Sequence, residues 1–102
     1  MAQSLGQVIR EARLKKEITQ KELASKVKKE DGTPIAPQYL NDIEHDRRSP
    51  SEFVARELAK QLDLTADYLI ILSGAVPSDI LEKGIPEHLV REGLIAFRKR
   101  KS

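Results

Sequence analysis

A chain of 102 residues has room for one domain, or for a small domain with an appendage. Apolar residues at 39% suffice for one modest core, so disorder is not the expectation, and aromatics at only 4% leave that core to Leu, Ile, Val and Ala, which favours helices over a sheet sandwich. A net charge of +2 hints only weakly at an anionic partner, while the lack of cysteine excludes disulfides and thiolate zinc sites and suits a reducing cytoplasm.

Leu5, Val8, Ile9 and Ala12 recur at helical spacing with Arg10, Glu11 and Lys15 opposite, which predicts a first helix over roughly 4–16. Thr19 and Glu22 form a T-x-x-E capping box that starts a second helix, with Leu23, Ala24 and Val27 facing inward. "KKEDGTP" breaks the pattern through the Asp31-Gly32 turn signal and Pro34. Pro37 suits the first turn of a third helix, whose apolar side is Leu40 and Ile43 and which ends at "HDRRSP". Ser49 and Glu52 offer an S-x-x-E box with Pro50 at the first helical position, with Ser51 as a rival cap. Val54, Leu58, Ala59 and Leu62 mark this fourth helix. Thr65 is expected to cap a fifth helix, with Tyr68, Leu69 and Leu72 inward and Gly74 as its stop. After "GAVPSD", the stretch "PEHLVREGLIAFRKRK" carries Leu89, Val90, Leu94 and Phe97 near one face, which predicts a C-terminal helix with a basic end. The longest apolar run, "YLIIL" at 68–72, is far too short to span a bilayer, and no signal peptide is recognisable, so a soluble cytoplasmic protein is expected.

Short helices, with the second and third joined by a turn, suggest a helix-turn-helix domain. The residues carry the resemblance further. "LGQVIREARLKKEITQKELASKV", "YLNDIEHDRRSPS" and "LAKQLDLTADYLIILSG" follow one another in an order that resembles the phage-repressor-like (XRE, lambda-repressor-like) family of DNA-binding domains. The likeness covers about residues 4–75. It implies an all-α protein: a compact five-helix lambda-repressor-like helix-turn-helix domain at 1–75, with 76–102 as a C-terminal helical extension. It also implies that the third helix, about 37–45, enters the DNA major groove. Gln20 matches the family's phosphate-contacting glutamine at the start of the second helix, where free amides independently favour an anion, and Lys21 is the neighbouring candidate. Arg47 and Arg48 match the family's basic turn, and Asp46 stands where the family often has a glycine. "KKEDGTP" departs from the pattern, because the family's link between these helices is a tight turn. Lys28 and Lys29 in this longer loop have two readings, phosphate contact or a solvated loop.

Helical angle sorts the third helix. At about 100° per residue with Leu40 at zero, Ile43 lies near about 300°, which puts the core direction at about 330°. Gln38, Asn41, Asp42 and His45 fall at about 160°, about 100°, about 200° and about 140°, away from the core. Gln38, Asn41 and Asp42, with Pro37 at the helix start, are the candidates for base contact. Gln38 and Asn41 suit an adenine edge. Asp42 is either an acceptor for a cytosine amino group or a solvated acid that trims non-specific affinity. Glu44 falls at about 40°, beside the core. The family pairs this glutamate with the arginine matching Arg13, which implies a partly buried structural ion pair. Tyr39 offers its hydroxyl to phosphate or its ring to the domain; both readings stand.

No histidine, acid and nucleophile combine into a catalytic set, no Gly-rich phosphate loop occurs, and two histidines without thiolates make no metal site, so no enzyme, metal or cofactor is expected. The leading expectation is a sequence-specific double-stranded DNA-binding transcriptional regulator acting as a homodimer on a palindromic operator. The alternative is an antitoxin-like or phage-encoded protein-interaction module, with DNA binding secondary. Leu89, Val90, Leu94 and Phe97 are candidates for the dimer or docking surface, or for folding back on their own core.

Overall fold

Ser4 caps the first helix. Its hydroxyl accepts from the Gln7 backbone N–H while the Gln7 side chain accepts from the Ser4 N–H, a capping box that starts α1 (Leu5–Lys15). The computed structural model describes residues 3–84, 86–88, 91 and 92. After α1 come α2 (Gln20–Lys26), α3 (Pro37–Glu44), α4 (Glu52–Leu62), α5 (Ala66–Leu72) and α6 (Ser78–Lys83). The expected all-α architecture is what forms. Thr19 and Glu22 make a reciprocal capping box at α2.

The core gathers one stripe from each of the first five helices: Val8 and Ile9, Leu23 and Ala24, Leu40 and Ile43, Val54 and Leu58, Leu69 and Ile70. Burying such aliphatic side chains contributes roughly 1.5–3 kcal/mol each before conformational entropy is counted. α1 packs closely on the end of α3 at Gly6. A Cβ there would lie 2.5 Å from the backbone oxygen of Glu44 and 2.6 Å from that of Ile43. Only a glycine lets the helices meet at this distance.

Four local expectations change. Val27 is buried as expected, but it faces inward as the extended C-cap of α2, just past the helix. The α2–α3 loop is a short hairpin. The Lys29 N–H donates to Thr33 O, the Gly32 N–H to Lys29 O and the Ile35 N–H to Val27 O, with an antiparallel bridge between Lys28 and Pro34. Ser51, not Ser49, caps α4, because its hydroxyl accepts the Val54 N–H. Glu52 is instead drawn to Ser78 and Arg56. Tyr68 is 47% exposed, since α5 packs through Ala66, Leu69 and Ile70 and the tyrosine stands about 100° from Leu69.

The turn after α5 is followed by a short helix, α6, inside the stretch expected as a helical extension. Pro77 is buried and α6 begins at Ser78, tied to α4 through Glu52. Beyond it, Glu87, His88, Arg91 and Glu92 are helical, with an Arg91–Glu87 ion pair at 2.7 Å. The candidate contacts Leu89, Val90, Leu94 and Phe97, and the basic end 98–101, lie outside the described residues.

Candidate nucleic-acid interface

α3 starts without a side-chain cap, at Ala36, with Pro37 as its first helical residue. The proline and one i, i+4 side-chain bond are too little to hold eight helical residues, so tertiary contacts must hold them. They are made on one side. Leu40 and Ile43 are fully buried in the core, and Glu44 is buried beside them.

Glu44 is held by three donors. Arg13 Nε donates to Oε2 at 2.7 Å and Arg13 Nη2 to Oε1 at 3.0 Å, a bidentate fork. Gln20 Nε2 adds a bond to Oε1 at 3.1 Å. Arg13 Nη1 donates to the Ile18 carbonyl at 2.9 Å, which ties the α1–α2 turn into the same network. The side chains are 10% and 0% exposed, so the pair is desolvated and fully bonded.

The opposite side of α3 is polar. Gln38 and His45 are exposed, and Asn41 and Asp42 are half-buried. The half-burial has a cause in bonding. Gln20 Nε2 also donates to Asn41 Oδ1 at 3.2 Å, so one glutamine joins the outer face of α3 to the buried ion pair beneath it. Gln38 Nε2 donates to Asp42 Oδ1 at 3.0 Å, and Arg47 Nε donates to the same oxygen at 3.1 Å. The turn closes on the same residue, with the Arg47 N–H donating to the Asp42 carbonyl at 2.8 Å. His45 Nδ1 lies 2.8 Å from the Asn41 carbonyl.

Asp46 sits in the left-handed region at φ 59°. Its Oδ1 accepts from the Gly6 N–H at 2.9 Å and its Oδ2 from the Ser4 hydroxyl at 2.6 Å, which clamps the turn after α3 onto the start of α1. A glycine would suit this backbone but could not make the clamp. Arg48 stacks over the Tyr39 ring at 4.5 Å from its centroid, while Tyr39 packs its other side on the core. Lys29, Ala36, Tyr39 and Arg48 line one shallow cleft, so the hairpin brings a lysine beside the first turn of α3. Pro37 and Lys21 are exposed.

The Gln38–Asp42 bond was legible as an i, i+4 pair. The Gln20 links and the Asp46 clamp carried no local signal, because their partners lie 21 to 42 residues away. No group of three or more His, Asp or Glu able to hold a metal occurs among the described residues, and no described helix is long and apolar enough to cross a membrane.

Comparison with solved structures finds a chain from the complex of the SinR protein with the SinI protein. It aligns over 95% of this chain and 97% of its own length, with a TM-score of 0.54 and 24% identity. At that identity the likeness concerns the fold. No curated protein matches. The model of the helix-turn-helix family matches residues 9–69, from within α1 to within α5 and across every bond just described from Arg13 to Arg47. The chain therefore belongs to the XRE, phage-repressor-like helix-turn-helix family and is a DNA-binding transcription regulator.

Proposed function

We propose that the protein binds double-stranded DNA sequence-specifically as a homodimer on a palindromic operator, with α3 in the major groove of each half-site. The observation that carries this reading is the two-sidedness of α3. Its buried side is locked by Leu40, Ile43 and the Arg13–Glu44 pair, and its other side presents Gln38, Asn41 and Asp42. A helix so held offers base-reading groups at little further cost in ordering.

In this reading Gln38, Asn41 and Pro37 meet base edges, and Asp42 lies among them. Asn41 accepts from Gln20 through Oδ1, which turns its amide N–H groups toward acceptors such as purine N7. Lys21, Arg47 and Arg48 contact phosphate. Tyr39 adds its hydroxyl there, and Gln20 donates outward once its amide leaves one of its two acceptors. Residues 1–75 form the DNA-binding unit and 76–102 an extension for self-association, and the site of action is the cytoplasm.

A second reading has one observation in its favour. The structurally similar chain comes from a complex of two different proteins, and this chain exposes Ile71 (59%) and Leu81 (60%) on α5 and α6. A protein-interaction role of the extension is compatible with DNA binding. The two separate in a titration of affinity against salt for specific and arbitrary duplexes. The proposed regulator loses affinity linearly in log–log coordinates and keeps a preference for its site at every salt concentration. Equal affinity for both duplexes throughout would contradict sequence-specific binding.

A further inference from the structure

We infer that Asp42 is a positioning residue of the DNA-reading surface: its carboxylate orients the Gln38 amide and anchors the Arg47 guanidinium, and it reads no cytosine itself. The inference deepens the proposed function and rests on α3 being the helix that meets bases.

An acid on a DNA-facing surface is repelled by phosphate, so its presence needs a compensating role. The two obvious roles are a base acceptor and a solvated bystander. The geometry favours a third. The Asp42 side chain is only 21% exposed, which is too little for a bystander. Its Oδ1 receives two donors, Gln38 Nε2 at 3.0 Å and Arg47 Nε at 3.1 Å. Both bonds exist before DNA arrives and commit Oδ1 to Gln38 and Arg47, so that only Oδ2 is left to meet a base, which the test below decides.

Each bond has a consequence for the partner. A carboxylate accepts hydrogen bonds and cannot donate them, so Gln38 must turn its NH2, not its oxygen, toward Asp42. That leaves Oε1 and one N–H of Gln38 facing outward in a fixed order, the pair an adenine edge requires. Arg47 gives Nε to Asp42 and keeps its Nη groups for phosphate. Arg47 also offsets the charge of Asp42, so the acid costs the complex less than an unpaired one would. The Arg47 and Arg48 backbone N–H groups both reach the Asp42 carbonyl, at 2.8 and 3.4 Å, so the basic turn starts from the residue that steers its first side chain.

The test compares wild type, Asp42→Ala and Asp42→Asn in two measurements. In DNA selected from a random library, Asp42→Ala should lower discrimination at the base pair read by Gln38 by about tenfold. Asp42→Asn, which keeps an acceptor for Gln38, should retain the wild-type base there. A change from cytosine to adenine at one half-site position in Asp42→Asn would overturn the inference, because that is the signature of direct reading. In the free protein, the Arg47 Nε–H should exchange with water more slowly than that of Arg10, and Asp42→Ala should abolish the difference. Equal exchange in the wild type would show that no anchor exists and would also overturn it. If the wild type selects no sequence while Arg47 is protected, the functional reading fails and takes the base-orienting half of the inference with it, and the anchor itself stands. Unchanged thermal melting of Asp42→Asn guards against reading misfolding as lost preference.

Discussion

Glu44 and Gly6 show how single residues fix the pose of α3. Removing the Glu44 carboxylate would leave the Arg13 guanidinium buried without its partner, a loss typically of about 3–5 kcal/mol. Glu44→Ala is therefore expected to reduce unfolding free energy by that order in urea denaturation. Base preference should survive in whatever fraction stays folded, and a variant of wild-type stability with altered preference would contradict the inward placement. Gly6→Ala should be as damaging for a different reason. Its Cβ would meet two backbone carbonyls of α3 and its C-terminal end, which cannot move aside as a side chain can. The expected cost is at least about 1–3 kcal/mol, read by the same denaturation. Helical angle alone put Glu44 beside the core. It said nothing of Gly6, because the need for a glycine comes from a neighbour 38 residues away whose backbone no periodicity reveals.

At the level of elements, the α2–α3 connection carries the clearest departure from the family pattern and the least consequence for α3. Val27 and Ile35 are both buried and joined by the Ile35 N–H to Val27 O bond, so the chain leaves and re-enters the core at one place. The residues between them form a hairpin with Gly32 at φ 85°. Nothing lies within 4 Å of a Cβ built there, so Gly32→Ala isolates the conformational penalty, expected at about 1–2 kcal/mol of stability. Wild-type stability in this variant would show that the hairpin is not formed in solution. The five core helices were legible because each carries an apolar stripe at the helical period, and α1 and α2 because charged residues mark the opposite face. The hairpin was not, since one bridge and two flanking apolar residues are too short for strand alternation to register. α6 escaped notice for a similar reason: its six residues bury no side chain, so it has no stripe to read.

For the whole molecule, the question is how the extension joins the DNA-binding body. Glu52 accepts from the Ser78 hydroxyl at 2.7 Å and from its backbone N–H at 3.0 Å. The Ser78 hydroxyl, then its amide and Arg56, hold the Glu52 carboxyl below its ordinary value. A depressed carboxyl pKa contributes stability that is present at neutral pH and is lost as pH falls through the depressed value. Acid titration should therefore lower the protection of the Ser78 amide, taken against an unstructured amide at the same pH, as pH falls below the usual carboxylate range, while the α1 and α4 amides stay protected. Protection of the Ser78 amide that stays constant through the titration, or that keeps the same pH dependence in Glu52→Gln, would mean that this contact does not fasten α6. Among the described residues, α6 is thus held to α4 through an acid-sensitive contact at Glu52, with Arg56 and Asp79 3.9 Å apart beside it, and Ile80 and Leu81 stand exposed next to it.

Base reading through the outer face of α3, as proposed, is open to direct measurement. The most direct measurement is selection of bound duplexes from a random library by wild type and by Gln38→Ala, with melting temperatures taken alongside. Two inverted half-sites about one helical turn apart are expected for the wild type. For Gln38→Ala, preference flattened at one position in each half-site and an unchanged melting temperature are expected. An identical consensus from the variant, or uniformly weak binding to all sequences by the wild type, would contradict the proposal.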